Sequence, residues 1–247
     1  MRAAEAVTCQ GRRHRLAAAL LVATIAATAS PVLAQATSPV APQGKRADLD
    51  GVWILARNAT TENLKLTPAG EAARARYEPL RHDPDMKCIP ASFTRVMHTP
   101  SPPTEIRQFA DHVEINYEFM DVHRRVPIKP KLAIKDAPYA VVKFPHLGRS
   151  VGRYEGETLV IENGDVQAGV HDTLGTPGLP QSDQMHTVER FVPNGNTMQV
   201  IVTHTDPVYY QQPFLVTFTF QRLPGGKILP WDCTPEAASY ERFFPQK

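Results

Sequence analysis

From about residue 112 onward, apolar and polar side chains alternate with a period of two. In "HVEINYEF", Val113, Ile115, Tyr117 and Phe119 alternate with His112, Glu114, Asn116 and Glu118. In "TMQVIVTH", Met198, Val200, Val202 and His204 form one set, and in "FLVTFTFQ", Phe214, Val216, Phe218 and Phe220 do the same. Such alternation predicts strands with one face buried and one solvated. "VHRRVPI", "RSVGRYE", "ETLVIEN" and "MHTVERFV" are further strands, and residues 52–57 after "DLDG" are an early one. "YEGET" and "PNGNT" carry the Gly and Asn of tight hairpin turns. The pattern departs from period two in "LTPAGEAARARY", where Thr67 is a natural N-cap, Pro68 suits the first helical position and Glu71 suits the first turn.

About nine strands and one short helix make an all-β fold: an antiparallel meander closing into a barrel or half-barrel, because open sheet edges invite aggregation. Residues 48–247 form one domain on this reading. Two long connections interrupt the meander, residues 127–146, rich in Pro and Lys, and residues 164–182, rich in Gly. Long loops on a compact β-domain are where function concentrates.

The first residues change the charge balance. A basic cluster (Arg12, Arg13, His14, Arg15), an apolar run over residues 16–29 and a small-residue cut after Ala34 have the order of a secretory leader over residues 1–34. The run is too short and too polar to span a bilayer well. Residues 35–47 then form a polar, flexible lead-in. Of 27 basic and 25 acidic residues the leader holds four Arg and one Glu, leaving 23 and 24 and a formal charge of −1. That balance argues against a nucleic-acid partner, and no later segment is apolar enough to span a membrane. The expected location is periplasmic or secreted. Cys9 leaves with the leader, so Cys88 and Cys233 remain. In an oxidising compartment a pair of cysteines is expected to form one disulfide; two buried thiols are the alternative.

"LDGVW", "LTPAGEAA", "DPDMKCIP", "GRSVGRYEGETLVIEN", "SDQMHTVERF" and "DPVYYQQPF" occur in this order over residues 49–233. The set resembles a family of exported bacterial proteins whose versions read like "GHSVGRWEGDTLVV", "HSDALHVVERY" and "DPKAYTKPW". The resemblance implies a lipocalin-like β-architecture and, by itself, no activity. Arg149, Tyr154 and Phe214 depart from that family's usual His, Trp and Trp, and "IKPK" stands where "DGR" is typical. Gly51-Val52-Trp53 is also similar to the GxW of lipocalins, where the Trp closes one barrel end beneath a basic side chain.

Candidate chemistry centres on "HTVERF". On a strand His186, Val188 and Arg190 share one face, and Met185, Thr187, Glu189 and Phe191 share the other. In "RSVGRYE", Val151, Arg153 and Glu155 share a face. Two readings follow. The charges are cross-strand pairs on the sheet surface, or His186, Arg190, Arg153 and Glu155 form a polar cluster inside the barrel. In the second case they hold the polar end of a small, largely apolar molecule, and ligand binding is the expected function. The alternatives are a cofactor-free lyase or isomerase with His186 or His146 as base, and a structural or envelope-assembly protein without a ligand. The eight remaining histidines show no metal-ligand spacing, and no cofactor motif is present. His171-Asp172 and His204 with Asp206 can join a site only through folding, and Tyr209, Tyr210 and Phe214 form an aromatic group.

Overall fold

The computed structural model describes Arg46 and residues 48–172 and 175–234. The expected leader and most of the expected lead-in lie outside these residues.

Among the described residues, nine strands form one antiparallel sheet: β1 (Gly51–Glu62), β2 (Thr104–Gln108), β3 (His112–Tyr117), β4 (Val122–Pro127), β5 (Arg149–Glu155), β6 (Thr158–Gly164), β9 (His186–Asn194), β10 (Thr197–Thr205) and β11 (Phe214–Arg222). Two more, β7 (Gly169–Asp172) and β8 (Leu179–Gln181), pair as a separate hairpin. The order β4-β3-β2-β1-β11-β10-β9-β6-β5 is a meander rolled up until the first and last strands pair. The free edges, β4 and β5, meet through a bridge between Ile128 and Gly152. Beyond it Ala140 is wedged between them: Arg125 N–H donates to its carbonyl and its own N–H donates to the Gly148 carbonyl. The result is a nearly closed antiparallel barrel, as the alternation predicts. Gly148 sits here at φ 84°, where an added Cβ would lie 2.3 Å from the Gly164 carbonyl oxygen, so this junction needs glycine.

The alternating sets fill the interior. Ile115, Val200, Phe218 and Ile161 are fully buried. At one end Trp53 is fully buried, its indole N–H donates to the Leu49 carbonyl, and the Arg222 guanidinium lies 4.4 Å above its ring. Arg222 also bonds the Asp48 and Asp50 carbonyls, so a basic side chain seals this end of the barrel.

The other end, the mouth, is built from shorter elements. Helix α1 (Pro68–Ala75) is capped by Thr67, whose Oγ1 accepts from the Gly70 N–H, as its sequence predicts. Helix α2 (Pro79–His82) follows. Helix α3 (Phe93–His98) is not evident in the sequence pattern. Phe93, Thr94, Arg95, Val96 and Met97 are all buried, the polar Thr94 and Arg95 included, so α3 presents no solvent-facing polar stripe. It forms the plug of the mouth. The chain leaves β11 as a strap that reaches Glu118, which accepts from the Leu229 N–H, and packs Trp231 edge-on to Phe119. A Cys88–Cys233 disulfide ends the strap. No helix among the described residues is long and apolar enough to cross a membrane.

Candidate functional site

The expected pocket of His186, Arg190, Arg153 and Glu155 is not where the barrel keeps its interior. On β9 the inward residues are Thr187, Glu189 and Phe191, while His186, Val188 and Arg190 face out. The four expected residues form a ladder on the outer wall. Arg190 Nη2 lies 2.8 Å from Glu155 Oε2, Arg153 Nε lies 2.9 Å from Glu155 Oε1, and Arg153 also pairs with Glu162. His186 stands 3.7 Å from Glu162. Arg190, and then Arg153, hold the Glu155 carboxyl below its ordinary value. Each guanidinium has its carboxylate, so the ladder has the make-up of cross-strand glue. Arg153 and Glu162 do line a 260 Å³ recess beneath residues 130–134, on the outside of the barrel. His146 is apart from both: its Nε2 donates to the Pro90 carbonyl at 2.8 Å.

Inside, Glu189 meets a residue that strand parity on β9 cannot reveal. Arg124 on β4 reaches across the barrel, with Nη1 2.7 Å from Glu189 Oε2, and donates to Ser150 Oγ. Its guanidinium lies 3.7 Å over the Phe93 ring. Burial works against the Arg124 charge, but Glu189 and Tyr117 together outweigh it and raise the pKa. The pair is buried, at 0% and 1% side-chain exposure, with Phe93 against the guanidinium.

The unspent chemistry lies at the mouth, on the β7–β8 hairpin. Val170 pairs with Pro180 and Asp172 with Leu179, leaving His171 as the extra residue of a bulge. A regular strand alternates its side chains; the bulge turns both His171 and Asp172 inward, at 2% and 3% exposure. The His171 ring meets the His204 ring edge-on, centroids 4.6 Å apart. His204 Nε2 bonds Thr94 Oγ1 of α3 at 2.8 Å. Ser92, the N-cap of α3, donates to the His171 carbonyl. Asp172 pairs with His98 at 3.2 Å, and Asp206 accepts from the Ser182 N–H and hydroxyl. Burial lowers the pKa of His171 and, well below the ordinary value, that of His204, so both rings are neutral near pH 7.

Two spaces flank this hairpin. A 20 Å³ cavity inside the mouth is lined by Phe93, Thr94, Leu147, Asn163, His171, Gln181, Met185 and Thr187 among others. It holds about one water-sized group. A 360 Å³ groove outside is lined by Ala73, Arg76, Tyr77, His82, Val170, Pro180, Gln181 and Tyr209 among others. Gln181 is common to both. The Tyr77 ring lies against Gly178, where φ is 76° and an added Cβ would be 2.6 Å from the ring. A larger recess of 510 Å³ lies beside residues 138–143; of its charged and polar groups, Asp121 pairs with His123 and Lys143, and Arg125 contacts His112.

The histidines that matter here are therefore His171 and His204. Their "HD" and "TDP" contexts are visible in the sequence, but the bulge that joins them is not. Tyr210 and Phe214 pack as a strand end, rings 4.5 Å apart, whereas Tyr209 lines the groove.

No protein-family model and no curated protein matches the chain. Among solved structures it is similar to the wild-type fluorescent protein UnaG, at 15% identity over 71% of this chain and 97% of that one, with a TM-score of 0.33. It is also similar to apo lipid binding protein 8 of Caenorhabditis elegans, at 12% identity over 70% of this chain and 94% of that one, with a TM-score of 0.33. At this level of likeness no ligand is carried over from either.

Proposed function

We propose that this protein is an exported small-molecule binder whose site is the groove at the barrel mouth. One observation carries the reading: Gln181 lines both a ligand-sized groove and a small cavity of mixed polar and apolar lining. A groove of 360 Å³ lies within the usual range for small-molecule sites. Tyr77, Tyr209, Val170 and Pro180 offer it an apolar lining. A molecule with an apolar body and a polar end suits the pair of spaces, the body outside and the tip within. The interior proper is taken up by side chains and the α3 plug, so the ligand rests on the mouth and not in the barrel's centre. The Cys88–Cys233 disulfide supports an oxidising compartment and hence export. Membership of the exported bacterial family with the "GRSVG" and "HTVERF" motifs is part of this proposal.

Native mass spectrometry of the mature protein from its own host tests it. A co-purifying small molecule should be present, and should be lost in Ala73→Trp, which fills the groove while facing partly into solvent. A protein that emerges empty and binds no small apolar probe would favour a structural role, to which a filled barrel is equally suited.

A second reading is favoured by the desolvated His171 beside Asp172 and Asp206. A neutral histidine at a cavity is a fit general base, so a cofactor-free lyase or isomerase is the enzyme alternative. His171 would be its base, in place of His186 or His146.

A further inference from the structure

The hydrogen bonds around Gln181 define which end of His171 can receive a ligand. Gln181 Nε2 donates to the Gln167 carbonyl at 2.7 Å, which fixes the orientation of the amide. Its Oε1 therefore faces His171 Nδ1, at 3.3 Å. An amide oxygen only accepts, so Nδ1 carries the hydrogen. A neutral imidazole has a single N–H, and Nε2 is left with a bare lone pair. That atom is buried and has no hydrogen-bond partner among the described residues. Buried polar atoms without partners are rare, and each calls for an explanation.

We propose that the ligand's polar end is a neutral hydrogen-bond donor, a hydroxyl on an apolar body, received by His171 Nε2. This deepens the groove reading and rests on it. Size agrees: the inner cavity of 20 Å³ takes only a small terminal group, so the apolar body stays in the groove. Charge agrees as well. Asp172 and Asp206 both act on the His171 ring and make its surroundings unfavourable to an anion. The nearby cations are committed, Arg95 to Asp85 and Arg124 to Glu189. Arg76 lines the groove but is exposed, so an anionic group would be drawn to the outer rim and away from His171.

Three probes of one shape separate the cases: 4-propylphenol, 4-propylanisole and 4-propylbenzoate, titrated calorimetrically into the mature protein. The phenol should bind about tenfold more tightly than the anisole, the scale of one well-placed hydrogen bond, and more tightly than the benzoate. Nitrogen-15 spectra of the free protein should show His171 protonated at Nδ1, and the Nε2 resonance should move on adding the phenol. In His171→Phe, phenol and anisole should bind alike. Equal binding of phenol and anisole to the unaltered protein, a preference for benzoate, or a His171 protonated at Nε2 would overturn the hydroxyl assignment and leave the groove standing. If none of the three binds, the groove reading itself fails, and this assignment with it. The spectra of the unaltered protein decide the tautomer even if His171→Phe does not fold.

Discussion

At the scale of single residues, two neighbours on β9 carry opposite energetic meanings. Glu189 and Arg190 are both ion-paired, but the Glu189–Arg124 side chains are at most 1% exposed whereas Arg190 and Glu155 are about two-fifths exposed. Removing one member of a buried pair leaves an uncompensated charge and costs about 3–5 kcal/mol. Removing one member of an exposed pair costs up to about 1 kcal/mol. Arg124→Met should therefore sharply lower the denaturant midpoint, and Arg190→Met should barely change it. Similar losses from both, read from urea unfolding curves, would contradict the inside-out assignment of β9. The parity of "HTVERF" is legible in the sequence; which parity faces the core is not. Each set holds an apolar residue and a charged one, Val188 with Arg190 and Phe191 with Glu189. The choice is made by neighbouring strands, through Ile161 opposite Glu189 and Val200 opposite Phe191, and by Arg124 from the far wall.

At the scale of elements, long alternating strands announce themselves and short ones do not. β3, β10 and β11 lie where period two is sustained, and β6 and β9 fall on the further strands expected from "ETLVIEN" and "MHTVERFV". β2, β7 and β8 escape the pattern because they are three to five residues long, too short for alternation to show. α3 escapes it because it is six residues long and buries five of them, the polar Thr94 and Arg95 among them, so no exposed polar stripe marks it. Of these short elements β7, β8 and α3 make the mouth, so the candidate site is the least legible part of the chain. The C-terminal strap is legible only through Cys233. Its disulfide closes a span of 145 residues, and in the chain-entropy model such a link stabilises by about 4–5 kcal/mol. Thiol labelling of denatured, unreduced protein beginning at residue 35 should find no free sulfhydryl. Cys233→Ser paired with Cys88→Ser should lower the melting temperature without unmaking the sheet, because the strap lies outside the strand order. Two reactive thiols in the unreduced protein would remove the strap from the account.

At the scale of the whole molecule, stability against pH should reflect buried groups gathered near the mouth, with slopes of opposite sign. His171 and His204 are held below their ordinary values by burial, so the unfolded chain binds more protons than the native one below about pH 6.5. Their contribution is present above that value and is lost as the pH falls. Asp85 runs the other way. Burial lifts its carboxyl to about 7, even with Arg95 beside it at 2.5 Å. The native state then holds this proton where the unfolded chain has released it. Its contribution is complete below the ordinary carboxylate value of 3.8 and is lost as the pH rises through 7. Between about pH 4 and 6.5 the two effects oppose each other, and the unaltered protein should show a shallow profile there. Asp85→Asn removes the carboxylate side of the balance. Whatever it does to absolute stability by depriving Arg95 of a partner, it should steepen the loss between about pH 7.5 and 5, because only the histidines then titrate with the fold. His204→Gln should act in the opposite sense and flatten that loss. Urea midpoints at the two pH values, measured for all three proteins, give the comparison. Parallel profiles for the unaltered protein and both variants would show that neither group changes its protonation on folding, and that the mouth is wetter than its packing implies.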